Sequence, residues 1–78
     1  MKFTQYFQAM WLRPDRATIR LEWIQRVVDH PLKEVIQQDG RIRRWAPIVE
    51  VDGGFLRVLL LPDGETAHNA FFDRSFTL

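Results

Sequence analysis

DGRIRRWAPIVEVDGGFLRVLLLPDGETAHNAFFDRSF, residues 39–76, decides how this chain is built. Three runs of β-branched, aliphatic and aromatic residues, 41–51, 55–61 and 66–72, are separated by Asp52-Gly53-Gly54 and Pro62-Asp63-Gly64. Short apolar runs joined by glycine-bearing turns are the signature of antiparallel hairpins, so this stretch predicts a three-stranded meander. The turns also suggest a register. With Gly53-Gly54 at the centre of a two-residue loop, Val51 faces Leu56, Val49 faces Val58 and Glu50 faces Arg57, two apolar pairs and one ion pair. A three-residue loop with a bulge at Pro62-Asp63-Gly64 pairs Leu61 with Glu65, Val58 with His68 and Arg57 with Asn69.

That register sorts the meander into two faces. Trp45, Val49, Val51, Leu56, Val58, Leu60, Ala70 and Phe72 share the face that a helix should cover. Ile48, Leu59 and Phe71 lie on the other, with a polar row of Glu50, Arg57 and Asn69 and, at the same parity, Arg44 and Asp73. Since strand side chains alternate, a one-residue error in a turn moves the row to the opposite face.

Working outward, residues 2–12 alternate loosely, with Phe3, Tyr6-Phe7 and Met10-Trp11-Leu12 among Lys, Thr and Gln. They predict a strand, at an edge or swapped between chains. Arg13-Pro14-Asp15 breaks it and opens a helix, since proline pre-sets φ and Asp caps an N-terminus. Ala17, Leu21, Ile24, Val27 and Val28 fall on one helical stripe, and Pro31 ends it, which places one helix over residues 14–30. Residues 32–38 read as a short fourth strand or an irregular entry to the sheet, with Asp39-Gly40 as the turn into Arg41. The expected fold class is therefore α+β: one N-terminal helix packed on an antiparallel meander of three to five strands, within a single domain over residues 1–78.

Composition narrows the options. A chain of 78 residues without cysteine has neither disulfides nor thiolate metal ligands, so its stability rests on apolar packing to which ten aromatics contribute. No run reaches the ~20 apolar residues of a membrane span, and the first residues are too polar for a secretory leader, so a cytoplasmic protein is expected. The apolar surface of the N-terminal segment and the two-faced apolar character of the meander predict a homodimer in which sheets or N-terminal strands meet. Net charge is only +1, but residues 13–44 carry +3 and residues 45–78 carry −3. Nine of the eleven basic residues are Arg, the side chain suited to bidentate phosphate or carboxylate contacts.

Two constellations could carry chemistry. Arg41-Ile42-Arg43-Arg44-Trp45 can grip phosphates while the indole stacks a base, and it fits equally a strand edge protected by charge. Arg57, flanked by Asn69, could hold a phosphate on the sheet. His68 is a possible general base or a hydrogen-bonded histidine at the core's rim. His30 suits a helix C-terminus. The two histidines lack metal-ligand spacing, Ser75 and Thr66 lack a base partner, and no glycine-rich phosphate loop is present, so neither metal nor cofactor is expected.

The helix phrase Arg16…Ile19…Trp23-Ile24…Val27-Val28…Pro31 is followed by Gln38-Asp39-Gly40-Arg41-Ile42-Arg43-Arg44-Trp45, Leu56-Arg57-Val58 and His68-Asn69-Ala70-Phe71-Phe72-Asp73-Arg74. In this order the chain resembles the RelE/ParE-type toxin superfamily, and more closely BrnT-like and related small bacterial domains. The resemblance implies a RelE-like fold and, for many relatives, metal-independent mRNA cleavage countered by an antitoxin protein. Under that resemblance Arg57, Arg44, Asn69 and Arg74 would position the phosphate and stabilise its charge. Joined to the residue reading, this makes Arg57, His68 and Arg74 the candidate catalytic residues and Arg41, Arg43, Arg44, Trp45 and Asn69 the candidate RNA contacts. The alternative is a non-enzymatic interaction or dimerisation module.

Overall fold

The computed structural model describes residues 1–77 and is α+β, with two helices and a five-stranded mixed sheet. β1 (Lys2–Phe3) leads into α1 (Gln5–Trp11) and α2 (Leu21–Asp29), and four strands follow: β2 (Lys33–Ile36), β3 (Ile42–Ile48), β4 (Gly54–Leu60) and β5 (Thr66–Phe72). The sheet order is β1-β5-β4-β3-β2. β2 to β5 form the antiparallel meander, and β1 joins β5 in parallel.

Of the strand expected over residues 2–12 only Lys2–Phe3 forms, at the sheet edge, and Gln5–Trp11 is a helix instead. Phe3, Phe7 and Met10 recur at helical spacing, and Thr4 caps the first turn by accepting the Phe7 N–H at 3.0 Å. Phe7 and Met10 are buried in the chain's own core, while Phe3 and Trp11 pack around Phe7. This segment therefore leaves no apolar strand for a partner to cover.

The second helix starts later than its stripe suggested. Residues 13–19 form successive turns, and the Trp11 indole donates to the Ile19 carbonyl at 2.8 Å, so that carbonyl is engaged outside the helix. Arg20, in an extended conformation, then serves as the N-cap. Ile24 and Val27, the buried side of α2, share one core with Leu56, Val58 and Leu60 of β4 and Ala46 and Ile48 of β3, on which α2 packs, while Ala67 and Ala70 of β5 join that core on the side packed against α1. No helix among the described residues is long and apolar enough to cross a membrane.

Both hairpin registers differ from expectation. Val49–Val51 leave the strand as one turn of 3-10 helix, with Asp52 at φ 52° and Gly53 at φ 74° in left-handed backbone. Ala46 now faces Leu56, Arg44 faces Val58 and Trp45 faces Arg57. This five-residue slide is odd, so it reverses the faces of β3: Trp45 joins Arg57, and Arg44 turns to the helix side. Glu50 does not meet Arg57. Instead it takes both terminal nitrogens of Arg26 on α2 at 2.9 Å, which ties the turn to the helix. That pairing holds the Glu50 carboxyl at about 2, below its ordinary 4.5. In the second hairpin the loop has four residues, 62–65, with Leu61 donating to the Thr66 carbonyl. A bulge at His68 sets Arg57 opposite Phe71 and Val58 opposite Ala70. This slide is even through most of the pair, so Arg57, Leu59, Asn69 and Phe71 share a face as expected.

Candidate functional site

The face of the sheet that no helix covers carries Arg43 and Trp45 from β3, Phe55, Arg57 and Leu59 from β4, and Asn69 and Phe71 from β5. Arg57 lies at its centre because β4 is the middle strand. Its cross-strand neighbours are aromatic on both sides: the guanidinium carbon is 5.0 Å from the Phe71 ring centre and 5.8 Å from that of Trp45. A cation over a ring face is attracted by the ring quadrupole, so the two rings hold the charge without neutralising it.

Little else neutralises it. The nearest carboxylate, Asp73, has an oxygen 3.9 Å from Arg57 Nη1, and that oxygen already accepts the Trp45 indole N–H at 3.0 Å. The other Asp73 oxygen accepts from the Ser75 backbone N–H and hydroxyl. These Ser75 and Trp45 bonds keep the Asp73 carboxyl below the usual carboxylate range. The Arg57 side chain is only 22% exposed, and its Nε is buried with no partner. Burial, and then repulsion from Arg43, push the Arg57 guanidinium down from its ordinary value. A desolvated guanidinium beside a second one favours an added negative charge.

Arg16, from the turns between the helices, completes the array. β1 pairs only with Thr66 and Ala67, so the outer edge of β5 is open beyond them. There Arg16 Nη1 donates to the Ala70 carbonyl at 2.9 Å and to Asn69 Oδ1 at 3.0 Å, and its guanidinium lies 5.3 Å from the Phe71 ring. Phe71 thus has guanidinium groups of Arg57 and Arg16 over it. The apolar stripe gave no warning of Arg16, which falls in a stretch whose backbone is neither helix nor strand.

The residues singled out from the sequence divide accordingly. Arg43, Arg57 and Asn69 share the helix-free face with Trp45, although Trp45 is buried. Phe76 stacks on its indole at 5.0 Å, so the indole is not free to stack a base. Arg44 lies on the helix side, where Glu34 at 2.6 Å and the Val28 carbonyl at 2.9 Å occupy it. Arg41 sits at the turn beside Asp39, 3.7 Å away. His68, at the bulge, pairs its Nδ1 with the Thr4 hydroxyl at 3.0 Å, and its ring lies 5.0 Å from that of Tyr6. Its partners therefore come from α1 and its cap. Arg74 is exposed beyond β5 and lines a recess of about 470 Å³ with Phe55, Asp73 and Phe76. The expected trio of Arg57, His68 and Arg74 is distributed over the bulge, the centre and the end of the sheet.

The array suits an anion with a flat group beside it. Phosphate oxygens can accept from Arg57 and Arg43, and the half-exposed Phe71 and Leu59 offer apolar surface next to them. No group of three or more His, Cys, Asp or Glu that could hold a metal ion occurs among the described residues. Comparison with family models, with curated proteins and with solved structures finds no match to this chain.

Proposed function

We propose that this chain is an RNA-binding domain of RelE/BrnT-like type that grips single-stranded RNA on its helix-free sheet face, as the toxin-like member of a pair with an antitoxin protein. One observation carries the reading. Arg57 is held between Phe71 and Trp45 beside Arg43, with a buried Nε that has no partner and only an already engaged carboxylate at 3.9 Å. An RNA phosphate would accept from the solvent-facing end of the Arg57 guanidinium, whose charge the buried Nε leaves without a full protein partner, and a base could lie on Leu59 beside the edge of Phe71. Sheets that bind single strands commonly combine arginine-lined backbone tracks with aromatic platforms in this manner.

Grip is favoured over cleavage. Cleaving a phosphodiester without a metal requires a group beside the phosphate to take and return a proton. His68 is engaged by Thr4 and Tyr6, and Asp73 is held ionised by Ser75 and Trp45. Arg57 would hold the phosphate and stabilise its charge, with Arg43 beside it and Arg74 guiding the strand at the end of the sheet.

The test is fluorescence anisotropy with a labelled oligouridylate of about ten nucleotides in chelator-containing buffer. Binding should weaken with salt, and Arg57→Met should weaken it further and lower the slope of log affinity against log salt by about 0.7, the single-strand value for one lost phosphate contact. Wild-type protein that binds no RNA at low salt would remove the proposal. Shortened product in the same tube would instead assign cleavage to this face.

A further inference from the structure

We infer that β2 is a self-pairing edge, through which two copies of this chain join into one continuous ten-stranded sheet. This inference rests on the backbone and side chains of β2 and is independent of what the helix-free face binds. The two sheet edges differ. On one side β1 is a two-residue strand, and on the open length of β5 beyond it the Ala70 carbonyl is taken by Arg16 and the Ala70 N–H by Asn69 Oδ1, whereas β2 has four residues, all exposed and without proline. Val35 is 38% exposed and Ile36 66%.

The phase of the free backbone groups selects one pairing. Gln37 donates to the Arg41 carbonyl at 2.7 Å and accepts from the Gly40 N–H at 2.9 Å, so both its backbone groups point inward. Hydrogen-bonded and non-bonded pairs alternate along an antiparallel ladder, so Val35, opposite Arg43, also points inward. The N–H and C=O groups of Glu34 and Ile36 therefore point out of the sheet. In a symmetric antiparallel pair centred on Val35, Glu34 lies opposite Ile36 of the partner subunit, and Ile36 opposite the partner's Glu34. All four outward donors and acceptors on each strand then form four bonds. Centring on Glu34 would oppose two carboxylates and would call on Leu32, whose N–H is already given to the Trp45 carbonyl at 2.7 Å.

Side chains fit the same register. Val35 meets the partner's Val35 on the helix-free face. Lys33 lies opposite the partner's Gln37, and Glu34 reaches Ile36 of the partner subunit already neutralised by Arg44 at 2.6 Å. No like charges oppose each other. The two Arg43 side chains, three strand spacings apart, stand roughly 14 Å from each other, beyond the screening length at physiological salt. α2 packs over β3 and β4 and leaves β2 clear for the second copy.

The test is a symmetric cross-link. The chain has no cysteine, so Val35→Cys introduces a single thiol. In the inferred pair the two position-35 Cα atoms are about 4.5 Å apart, within the range a disulfide spans. Val35→Cys should oxidise to a covalent dimer much faster than Leu12→Cys, a thiol at a position 83% exposed on the opposite part of the chain. By light scattering at about 0.5 mM, where a millimolar affinity already places roughly a third or more of the chains in dimers, the wild-type mass should rise clearly above 9.3 kDa and climb with concentration towards twice that value. Val35→Lys and Ile36→Pro should return it to the single-chain mass with unchanged circular dichroism, since the Ile36 N–H serves no internal bond and proline suits an edge. A monomeric wild type, a dimer that survives both substitutions, or equal cross-linking at positions 35 and 12 would overturn the inference.

Discussion

Val58→Ala and Val49→Ala remove the same two methyl groups from residues that the sequence pattern would place opposite each other in one hairpin. The structure separates them completely: Val58 is 0% exposed beneath α2, and Val49 is 78% exposed on the 3-10 turn. At ~0.8 kcal/mol per buried methylene, truncating Val58 forfeits about 1.6 kcal/mol of transfer energy. A cavity of roughly 50 Å³ adds about 1 kcal/mol, giving a loss of about 2–3 kcal/mol. In a domain of this length that lowers the melting temperature by roughly 10–20 °C, at about 4–8 °C per kcal/mol. Truncating Val49 changes stability by no more than about 0.5 kcal/mol, because its side chain already faces solvent. Thermal melts followed by circular dichroism, with urea titrations for the free energies, separate the two. Equal losses at both positions would restore the two-residue hairpin and refute the register that places Arg57 between aromatic rings.

Acid should loosen the molecule in a defined window. Glu50 and Asp63 both sit at about 2 in the folded protein, against 4.5 and 3.8 ordinarily, through Arg26 and through Thr66 and Glu65 respectively. Depressed carboxyl values stabilise the fold above the unfolded values, so melting temperature should fall as pH drops from 4.5 towards 2, and the Glu50→Gln/Asp63→Asn double variant should start lower and fall less. Gly64→Ala should cost about 1–2 kcal/mol by urea titration, because φ there is +71° while the new Cβ would be 3.9 Å from Ile42 Cδ1, so backbone strain rather than collision decides it. Thr4→Ala should cost about 1 kcal/mol in the same assay through loss of the α1 cap, with exchange of the Phe7 amide accelerated.

Much of the fold was legible because it is local. Ile24, Val27 and Val28 write α2, Pro31 ends it, and Gly64 in its left-handed position marks the second turn. The co-facing of Arg57, Asn69 and Phe71 survived because the error in that hairpin was even. The first hairpin misled because Val49 and Val51 alternate like strand residues, whereas the structure turns them into 3-10 helix that Arg26 ties to α2 through Glu50. The helical spacing of Phe3, Phe7 and Met10 was present but obscured by aromatic residues that favour strands. At the site, Arg57 could be found from its place on the middle strand. Its burial between Trp45 and Phe71, and the approach of Arg16 from a distant turn, depend on the register and on long-range packing that no local pattern encodes.

The most direct measurement of the RNA-grip proposal is a titration of ¹⁵N-labelled protein with unlabelled oligouridylate, reading backbone amides and arginine Nε–H groups together. Binding on the helix-free face should move the amides of Arg43, Arg57, Leu59 and Phe71, and it should shift the Arg57 Nε–H, which is without a protein acceptor, well beyond that of Arg44 on the helix side. Shifts confined to β2 or to α1 and α2, with the Arg57 Nε–H unmoved, would contradict the proposal.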